Sequence, residues 1–395
     1  MTVSLVGDGI STVAIAWQVY SLSNVPTALA LVGAVLVTPQ ILLLLLGGAL
    51  SDRFERRHLL MLSDAIRGSA IAAMGVLSVL GMLEFWHVLA LIAVYGAGAA
   101  LFTPAFTGIV RDVVSRDLLL QANSLGQFVR PLCVRFIGPA LGGVLIAALG
   151  TGEAFLFDAA SFAFSATAFL LMRMRSLPAG GRRRRSIGRD VLDGIQYVRP
   201  RMWLWGTFLA VTIAMFLFLG PIYVLMPFVV KNELGGGAEG LGLVFSAGGI
   251  GAITAALAIA HRGLPRRPMT LVYIAWSVAG FSLVGYALAT AVWQAMMVSF
   301  ASVAALTAGG IVWTTLLQRL VPGGMIGRVS SLDWLLSLGL APFSYALTGP
   351  VSGLLGVDAT LFGAGIMSGS VLLLFLLFLP SVREAAPADP EPLAV

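Results

Sequence analysis

Charged residues are scarce in this sequence. Only 11% of its 395 residues are charged, whereas 58% are hydrophobic, and the mean hydropathy is +0.96. A typical soluble domain carries about 25% charged residues, so the composition excludes that class. It indicates an all-α polytopic membrane protein.

Cysteine, histidine and lysine are also rare. The single Cys133 excludes an internal disulfide bond and any metal site built from several cysteines, and three scattered histidines supply no metal cluster. Lys231 is the only lysine among the 24 basic residues. No Gly-x-x-x-x-Gly-Lys-Ser/Thr loop occurs, so a self-contained ATP-driven pump is not expected. We expect no metal, no cofactor and no enzymatic activity.

Twelve apolar stretches reach the length of a helical membrane crossing, about 20 residues. The predicted segments are residues 3–22, 28–50, 59–80, 86–110, 119–148, 154–172, 203–230, 238–260, 269–290, 292–316, 329–352 and 357–380. The sequence thus predicts an N-terminal six-helix half (1–172), a basic cytoplasmic linker (173–202), a C-terminal six-helix half (203–382) and a disordered cytoplasmic tail rich in proline and acid (383–395). Within the linker, residues 189–198 are predicted to form a short surface helix.

Basic residues are sorted between the two sides of the predicted membrane. The loops after segments 2, 4, 6, 8 and 10, together with the C-terminal tail, hold 20 of the 24 basic residues, and the other loops hold only Lys231. Arginine-rich loops are expected on the cytoplasmic side. Both termini are therefore predicted to be cytoplasmic, in a multi-pass protein of the inner (plasma) membrane. This sorting explains the basic balance better than nucleic-acid binding does.

The loop between segments 2 and 3 carries the most specific motif, GGALSDRFERR over residues 47–57. An anchoring loop needs only the arginines, but the order of residue types resembles the loop between helices 2 and 3 of the major facilitator superfamily. That signature reads Gly-x-Leu-Ala-Asp-Arg-x-Gly-Arg-Arg/Lys, and Glu55 stands where its second glycine is usual. The resemblance implies a conformational latch made of Gly48, Asp52, Arg53, Arg56, Arg57 and Asp112.

Further matches narrow this resemblance to one branch of the superfamily. They are Gly7-Asp8-Gly9, Asn123-Ser124-Leu125, GPALGG over 138–143, Phe157-Asp158-Ala159 and Gly327-Arg328-Val329. Together they resemble the bacterial branch that includes enterobactin exporters and macrolide efflux pumps. The resemblance implies the major facilitator fold of twelve transmembrane helices in two six-helix halves. It also implies proton-coupled export of drug-like or siderophore-like molecules by alternating access.

Segment 5 and its counterpart in the second half both contain a Gly-Pro pair. Gly138-Pro139 is matched by Gly349-Pro350 in segment 11. A weak internal repeat of this kind is typical of transporters built from two six-helix halves. GPALGG also resembles the antiporter signature of segment 5, which implies close packing between the halves at Gly138, Pro139, Gly142 and Gly143.

Asp8 is the only acid in segment 1. Ser11 and Gln18 share its helical face at steps of 3 and 10, so they form a polar stripe that suits a water-filled cavity. A charge inside the membrane costs roughly 2.5–3.5 kcal/mol on insertion scales, and it therefore faces a cavity or a partner. Asp8 is a candidate either for the coupling proton or for a structural ion pair.

Segment 5 holds two arginines inside the membrane. In an α-helix, Arg130 and Arg135 stand about 140° apart around the axis, so they are predicted to point apart. Arg130 matches the depth of Asp8 and is its candidate partner, whereas Arg135 is better placed to contact substrate; both suit an anionic group. The candidate residues of the substrate cavity are Gln18, Gln127, Arg130 and Arg135.

Four other charged residues inside segments receive structural predictions. Asp158 and Asp333 lie near predicted segment ends and are expected to cap helices. Asp64 and Arg67 are three residues apart on segment 3, so they are expected either to pair locally or to join the latch.

Three functions are consistent with the sequence. The first is a proton-driven exporter whose partners are protons, a small-molecule substrate and the lipid bilayer. The second is an importer or exchanger of a small anionic nutrient, since fold does not decide function. The third is a non-transporting membrane scaffold, which no large soluble domain supports. We expect a monomer without a nucleic-acid partner.

Overall fold

A computed structural model describes residues 2–51, 55–113, 129–171, 187–322 and 325–378. These residues form thirteen helices when the chain is followed through its π-helical turns. The helices are α1 Thr2–Leu22, α2 Pro26–Ser51, α3 Arg56–Val79, α4 Phe85–Val113, α5 Val129–Ala148, α6 Thr151–Leu171, α7 Ile187–Val198, α8 Met202–Glu233, α9 Gly237–Arg262, α10 Pro268–Ala287, α11 Val292–Leu320, α12 Ile326–Leu355 and α13 Val357–Phe378.

Eleven of these helices, α2 to α6 and α8 to α13, have the length and apolar composition of membrane spans. The predicted all-α polytopic membrane fold is confirmed. Helix α1 corresponds to the predicted segment 1 and is 21 residues long, but it is not among the eleven. Its polar stripe, which contains Asp8, Ser11 and Gln18, dilutes its apolar content.

The helices pack in two groups. In the first group, α1 packs against α5 and α6, α3 against α4 and α6, and α2 against α4. In the second, α9 packs against α11, α10 against α11 and α13, and α8 against α12 and α13. We call α1–α6 the first group and α8–α13 the second group. Several pairs join the groups: α1 contacts α8 and α9, α2 contacts α8 and α12, and α5 contacts α9.

Glycines allow the closest approaches between helices, as is common in membranes. Gly9 of α1 lies against Gly138 of α5, where a Cβ added to Gly138 would stand 2.6 Å from the Gly9 Cα. Contacts this close leave no room for a side chain. The first helix is therefore fixed along one side of α5.

Two helices contain wide, π-helical turns. In α8 these are Pro221–Leu225 and Val229–Glu233, and in α5 the turn is Leu132–Ile137. Proline has no N–H to give to the α-helical ladder, and Pro221, Pro227, Pro131 and Pro139 lie in or beside these turns. Helix α8, which contains two of these turns, runs from Met202 to Glu233, slightly beyond the predicted segment of 203–230.

The short helix α7 lies beside α12. Asp193 Oδ2 is 3.2 Å from Arg328 Nη1, and Gly194 faces Leu332 and the backbone of Arg328. The predicted surface helix of the linker, 189–198, is thus formed over Ile187–Val198.

The two ends of the bundle differ in charge. At one end lie the connections 23–25, 80–84, 149–150, 234–236, 288–291 and 356, and none of them contains arginine. We call this the arginine-poor end. The opposite end, which carries the start of α3, helix α7 and the connection 263–267, is called the arginine-rich end.

Candidate functional site

Helices of the first group bring charged side chains together at Arg67. Arg67 Nη2 lies 2.6 Å from Oδ1 of Asp64, and its Nη1 lies 3.9 Å from Oδ1 of Asp8 on α1. Arg67 and Asp64 are only 4% and 1% exposed. We call Asp8, Asp64, Arg67, Tyr95 and Asp158 the acidic cluster.

Aromatic rings hold the Arg67 guanidinium from two sides. Its Cζ lies 4.4 Å from the ring centroid of Phe102 and 4.6 Å from that of Phe162. Cation–π contacts of this kind contribute about 2 kcal/mol where water is excluded. Arg67 Nε and Asp64 Oδ2 are buried and make no hydrogen bond. Arg67 is thus fixed in position, but its hydrogen-bonding capacity is not exhausted.

Asp8 connects three helices. Besides the contact with Arg67 of α3, its Oδ1 accepts a 3.0 Å hydrogen bond from the hydroxyl of Tyr95 on α4. About a fifth of the Asp8 side chain, 21%, stays exposed, whereas the side chain of Asp64 is fully buried. Asp8 is therefore the more solvent-accessible of the two carboxylates that contact Arg67.

Asp158 joins the acidic cluster from α6, and the prediction that it caps a helix end is wrong. It is the eighth residue of Thr151–Leu171 and is 0% exposed. The hydroxyl of Ser11 donates to its Oδ2, and that of Ser161 donates to its Oδ1 at 3.1 Å. A Cβ at Gly7 would overlap the Asp158 carboxylate, so the glycine makes this approach of α1 and α6 possible.

Arg130 is not the ion-pair partner of Asp8. Its charge interacts with Asp8, but Arg67 is the cation within 4 Å, and the Arg130 side chain is exposed. The prediction compared depth along two helices, and it did not include a partner from α3. The local pairing of Asp64 with Arg67, one of the two predicted possibilities, is what the structure contains.

An irregular turn separates Arg135 from Arg130. The π-helical turn Leu132–Ile137 lies between them, and the Gly138 N–H donates to the Cys133 carbonyl, five residues back. A turn closed by such bonds is wider than an α-helical turn, so each residue in it rotates less about the axis. The 140° value assumed α-helical geometry throughout, and the turn makes the angle smaller than that; which way the two side chains point stays a prediction.

Gln18 lies among helices of the first group. Its Oε1 accepts hydrogen bonds from Thr151 and, at 3.2 Å, from Ser78. These contacts tie α1 to α6 and to the end of α3. A role for Gln18 in the substrate cavity stays a prediction, and Gln127 lies outside the described residues.

Most of the predicted latch lies at the edge of what the structure describes. Asp52 and Arg53 lie outside the described residues. The structure places Gly48 in α2, Arg56 in α3 and Asp112 in α4. The side chains of Arg56 and Asp112 lie outside the described part. Arg57 donates a hydrogen bond to the Leu170 carbonyl near the end of α6. The latch stays a prediction.

The GPALGG motif faces both groups. Gly138 and Gly142 contact α1, within the first group. Gly143 contacts α9, where an added Cβ would stand 3.2 Å from the Gly242 Cα, and a Cβ at Gly242 would stand 2.6 Å from the Pro139 carbonyl. Only Pro139 and Gly143 of the four predicted residues are thus seen at a contact between the groups.

Helices α1 and α8 meet at the arginine-poor end. The Tyr20 hydroxyl donates to the Val224 carbonyl at 2.6 Å, and Lys231 Nζ donates to the Tyr20 carbonyl. Lys231 Nζ also lies 5.3 Å from the ring centroid of Trp17. Beyond it, Asn24 donates to Asn232 at 2.7 Å.

Contacts between the groups continue from this end towards the middle of the bundle. The Ser246 hydroxyl of α9 donates to the Phe136 carbonyl of α5 at 3.1 Å, and Gly249 lies against the Arg135 carbonyl. Pro139 stands four residues after Arg135 and has no N–H to donate to the Arg135 carbonyl. The Arg135 carbonyl is therefore free to face α9. The described contacts close the bundle from the arginine-poor end to about the depth of Arg135.

A half-buried acid inside a helix also occurs in the second group. Asp333 is the eighth residue of α12, and its Oδ2 accepts a 3.2 Å hydrogen bond from the Trp313 indole. The prediction of a helix cap is wrong for this residue too. Among the residues that the structure describes, no group of histidine, cysteine and acidic side chains suits a metal ion.

Comparisons with known proteins identify the family of this chain. The family described as Transmembrane secretion effector matches residues 1–394. The multidrug efflux pump Tap of Mycolicibacterium fortuitum is 26% identical over 404 residues, which cover 96% of this chain and 93% of that protein. The enterobactin exporter EntS of Salmonella choleraesuis (strain SC-B67) is 25% identical over 394 residues, 98% of this chain and 93% of that exporter.

Solved structures with the same fold share little sequence. A D-xylose–proton symporter superposes with a TM-score of 0.72 at 17% identity and covers 97% of both chains. The nucleoside transporter NupG gives a TM-score of 0.68 at 11% identity and covers 96% of this chain and 97% of its own. These likenesses show the fold alone. Because the family match extends over almost the whole chain, the protein belongs to the transmembrane secretion effector family of the major facilitator superfamily, and it has that superfamily's fold.

Proposed function

We propose that this protein is a proton-coupled exporter of drug-like or siderophore-like small molecules that works by alternating access. The observation that carries the proposal is the acidic cluster. Two of its carboxyl groups, those of Asp8 and Asp64, lie within 4 Å of one guanidinium, that of Arg67, and the third, that of Asp158, is buried and bonded to the hydroxyls of Ser11 and Ser161. Charge left unbalanced inside a membrane is costly. A cluster with more acids than cations relieves that cost by binding protons, and Asp8 is its most exposed acid.

The closure of the bundle at the arginine-poor end fits one of the two states that alternating access requires, a state that exporters and importers share. By the positive-inside rule the arginine-rich end, with both termini, is assigned to the cytoplasm. Contacts such as Tyr20–Val224 then seal the external side. A bundle sealed outside is the state in which an exporter loads its substrate from the cytoplasm.

Relatives support the substrate class. Tap is described as a multidrug efflux pump and EntS as an enterobactin exporter, and each is matched over more than nine-tenths of this chain. Import or exchange of a small anionic nutrient is the second candidate, because Arg135 is exposed and cationic. The similar solved structures, one of which is a symporter, share only the fold with this chain. They therefore do not favour import.

The proposal includes an organisation of the chain. Residues 1–172 and 203–382 act as the two moving halves, 173–202 connect them at the cytoplasmic face, and 383–395 form a cytoplasmic tail. The protein works in the inner membrane as a monomer, without enzymatic chemistry and without nucleic acid. Alternating access follows if the contacts between the groups exchange sides during the cycle.

Transport by purified protein in proteoliposomes, with an imposed pH gradient, tests the proposal. A panel of fluorescent drugs and a catecholate siderophore is offered with and without a protonophore. We expect gradient-driven movement of at least one compound by the wild type and its loss in Asp8→Asn. Glu84→Gln, which changes an exposed acid in the connection after α3, is the matched control and should transport normally. Full gradient-driven transport by Asp8→Asn at equal folded protein would remove Asp8 from the mechanism.

A further inference from the structure

The wide turn in α5 sets the positions of two arginines. Arg130 lies just before the π-helical turn Leu132–Ile137, and Arg135 lies within it. With α-helical geometry throughout they would stand about 140° apart. Bonding from residue i to residue i+5 makes that angle smaller, so the two arginines are less widely separated around α5 than in an α-helix. Such turns inside α-helices are frequently found at functional sites.

Both side chains are exposed although the helix is a membrane span. Arg130 and Arg135 are both exposed. Among the residues that the structure describes, no carboxylate lies within ion-pair distance of either arginine. Counting from Ala148 at the arginine-poor end, Arg135 lies ~20 Å and Arg130 ~27 Å along the helix at about 1.5 Å per residue. Both depths fall within a hydrocarbon core of about 30 Å. An exposed guanidinium at such a depth needs water or an anion rather than lipid.

The packing of α5 places this pair at the boundary of the closed region. The Arg135 backbone carbonyl lies against Gly249 of α9, and the neighbouring Phe136 carbonyl accepts the bond from Ser246. Arg130 lies about one turn further towards the arginine-rich end, and its charge interacts with that of Asp8. A molecule that enters between the groups from the arginine-rich end meets Arg130 first and Arg135 where the groups close.

We propose that Arg130 and Arg135 form an anion-binding pair that receives a negatively charged group of the transported molecule. The guanidinium fork matches the two oxygens of a carboxylate, a phosphate or a catecholate. Two forks five residues apart on one helix suit a molecule with two such groups, or with one doubly charged group. The inference rests on the proposed transport function, and it adds that an amphipathic anion is preferred over a cation of the same shape.

Binding of two matched dyes tests the preference. Fluorescein and rhodamine 123 share a xanthene ring system but carry opposite charge. Their fluorescence anisotropy is measured with the full-length protein in nanodiscs of phosphatidylcholine, which is zwitterionic. We expect the wild type to bind fluorescein more tightly. Arg130→Gln and Arg135→Gln should each weaken fluorescein binding about tenfold or more, as loss of a charged hydrogen-bonding partner does, and leave rhodamine 123 binding unchanged.

Controls separate the site from general charge effects and from misfolding. Arg262→Gln removes an exposed arginine at the end of α9 and should not change the affinity for fluorescein. Arg135→Lys keeps the charge without the fork and should give an intermediate affinity. Melting temperatures of all variants are compared in the same nanodiscs. A loss of affinity for both dyes together, or equal binding of both dyes by the wild type, would overturn the proposal.

The anion could also come from a lipid headgroup, and a second arm distinguishes that source. The same titrations are repeated in nanodiscs that contain phosphatidylglycerol. If this lipid abolishes fluorescein binding while transport in vesicles is unaffected by Arg135→Gln, the pair is a lipid site and the substrate assignment fails. If instead no compound is moved by a pH gradient but fluorescein still depends on both arginines, the proposed export fails and the anion pair stands.

Discussion

The Tyr20 hydroxyl donates a 2.6 Å hydrogen bond to the Val224 backbone carbonyl and so joins α1 to α8. The same residue accepts a bond from Lys231 at its own carbonyl. One tyrosine therefore contacts the second group at both its backbone and its side chain. These bonds belong to the state that is closed at the arginine-poor end, and they must break when that end opens.

Tyr20→Phe should favour opening of the arginine-poor end. The change removes one hydrogen bond between the groups, worth about 0.5–1.5 kcal/mol, which corresponds to a shift of roughly two- to tenfold in the ratio of the two states. Lys231 is the only lysine in the chain. The rate at which a membrane-impermeant amine reagent labels Lys231 should rise by that factor.

Tyr273→Phe is the matched control for this experiment. Its hydroxyl donates a 2.8 Å bond to Thr207, but both residues lie in the second group. It removes a buried hydrogen bond without releasing one group from the other. Equal acceleration of Lys231 labelling in both variants would show that Tyr20 has no special part in the closure.

Gly249→Ala should weaken the closed state at α5 and α9. An added Cβ would overlap the Arg135 carbonyl and stand 2.8 Å from the Phe136 Cβ, so the two helices must separate. Overpacking of this kind costs about 1–3 kcal/mol. We expect faster labelling of Lys231 and transport reduced about tenfold or more in proteoliposomes. Gly363→Ala, in α13, meets no atom within 4 Å and should behave as the wild type.

Arg67→Met should destabilise the folded protein. It leaves the buried Asp64 without its cation, and removal of one partner of a buried pair costs about 3–5 kcal/mol. The double change Asp64→Asn, Arg67→Met should recover much of that loss, because the fully buried Asp64 no longer carries a charge and the remaining acid, Asp8, is partly exposed. The measurement is thermal unfolding in detergent, followed by tryptophan fluorescence.

The surface pair of Asp193 and Arg328 provides the comparison for that prediction. Its atoms are 3.2 Å apart, but Asp193 is much more exposed than Asp64. Exposed ion pairs contribute about 0–1 kcal/mol, so Asp193→Asn should change the melting temperature little. If Arg67→Met is as stable as Asp193→Asn, the ion pair inside the membrane contributes no more than one on the surface.

Membrane spans and the loop motif were accessible from the sequence because each depends on residues that are neighbours along the chain. Length and hydropathy predict a helical crossing without knowledge of its neighbours. The importance of Asp8 was visible for the same reason, since an acid in an apolar segment stands out. Its partner Arg67 was not, because the pairing depends on how α3 packs against α1.

Two other features were not predicted correctly from the sequence: the position of each acid along its helix, and the departure of α5 from α-helical geometry. Asp158 and Asp333 were expected at helix ends, but hydropathy places segment boundaries only within a few residues, and both acids lie about two turns inside. The angle between Arg130 and Arg135 depended on an assumed α-helix. Pro131 and Pro139 were signs of an irregular helix between them, but proline alone does not specify whether the ladder kinks or widens.

The π-helical turn of α5 also bears on how this chain is aligned with its relatives. The turn accommodates one residue more than an α-helical turn does. In a relative whose helix is an uninterrupted α-helix, the residue that superposes on Arg135 is not the one aligned with it in an ungapped alignment. It is the neighbouring residue, one column away. Equivalence between family members on this helix should therefore be assigned by superposition, with a one-residue gap placed inside the turn rather than in a loop.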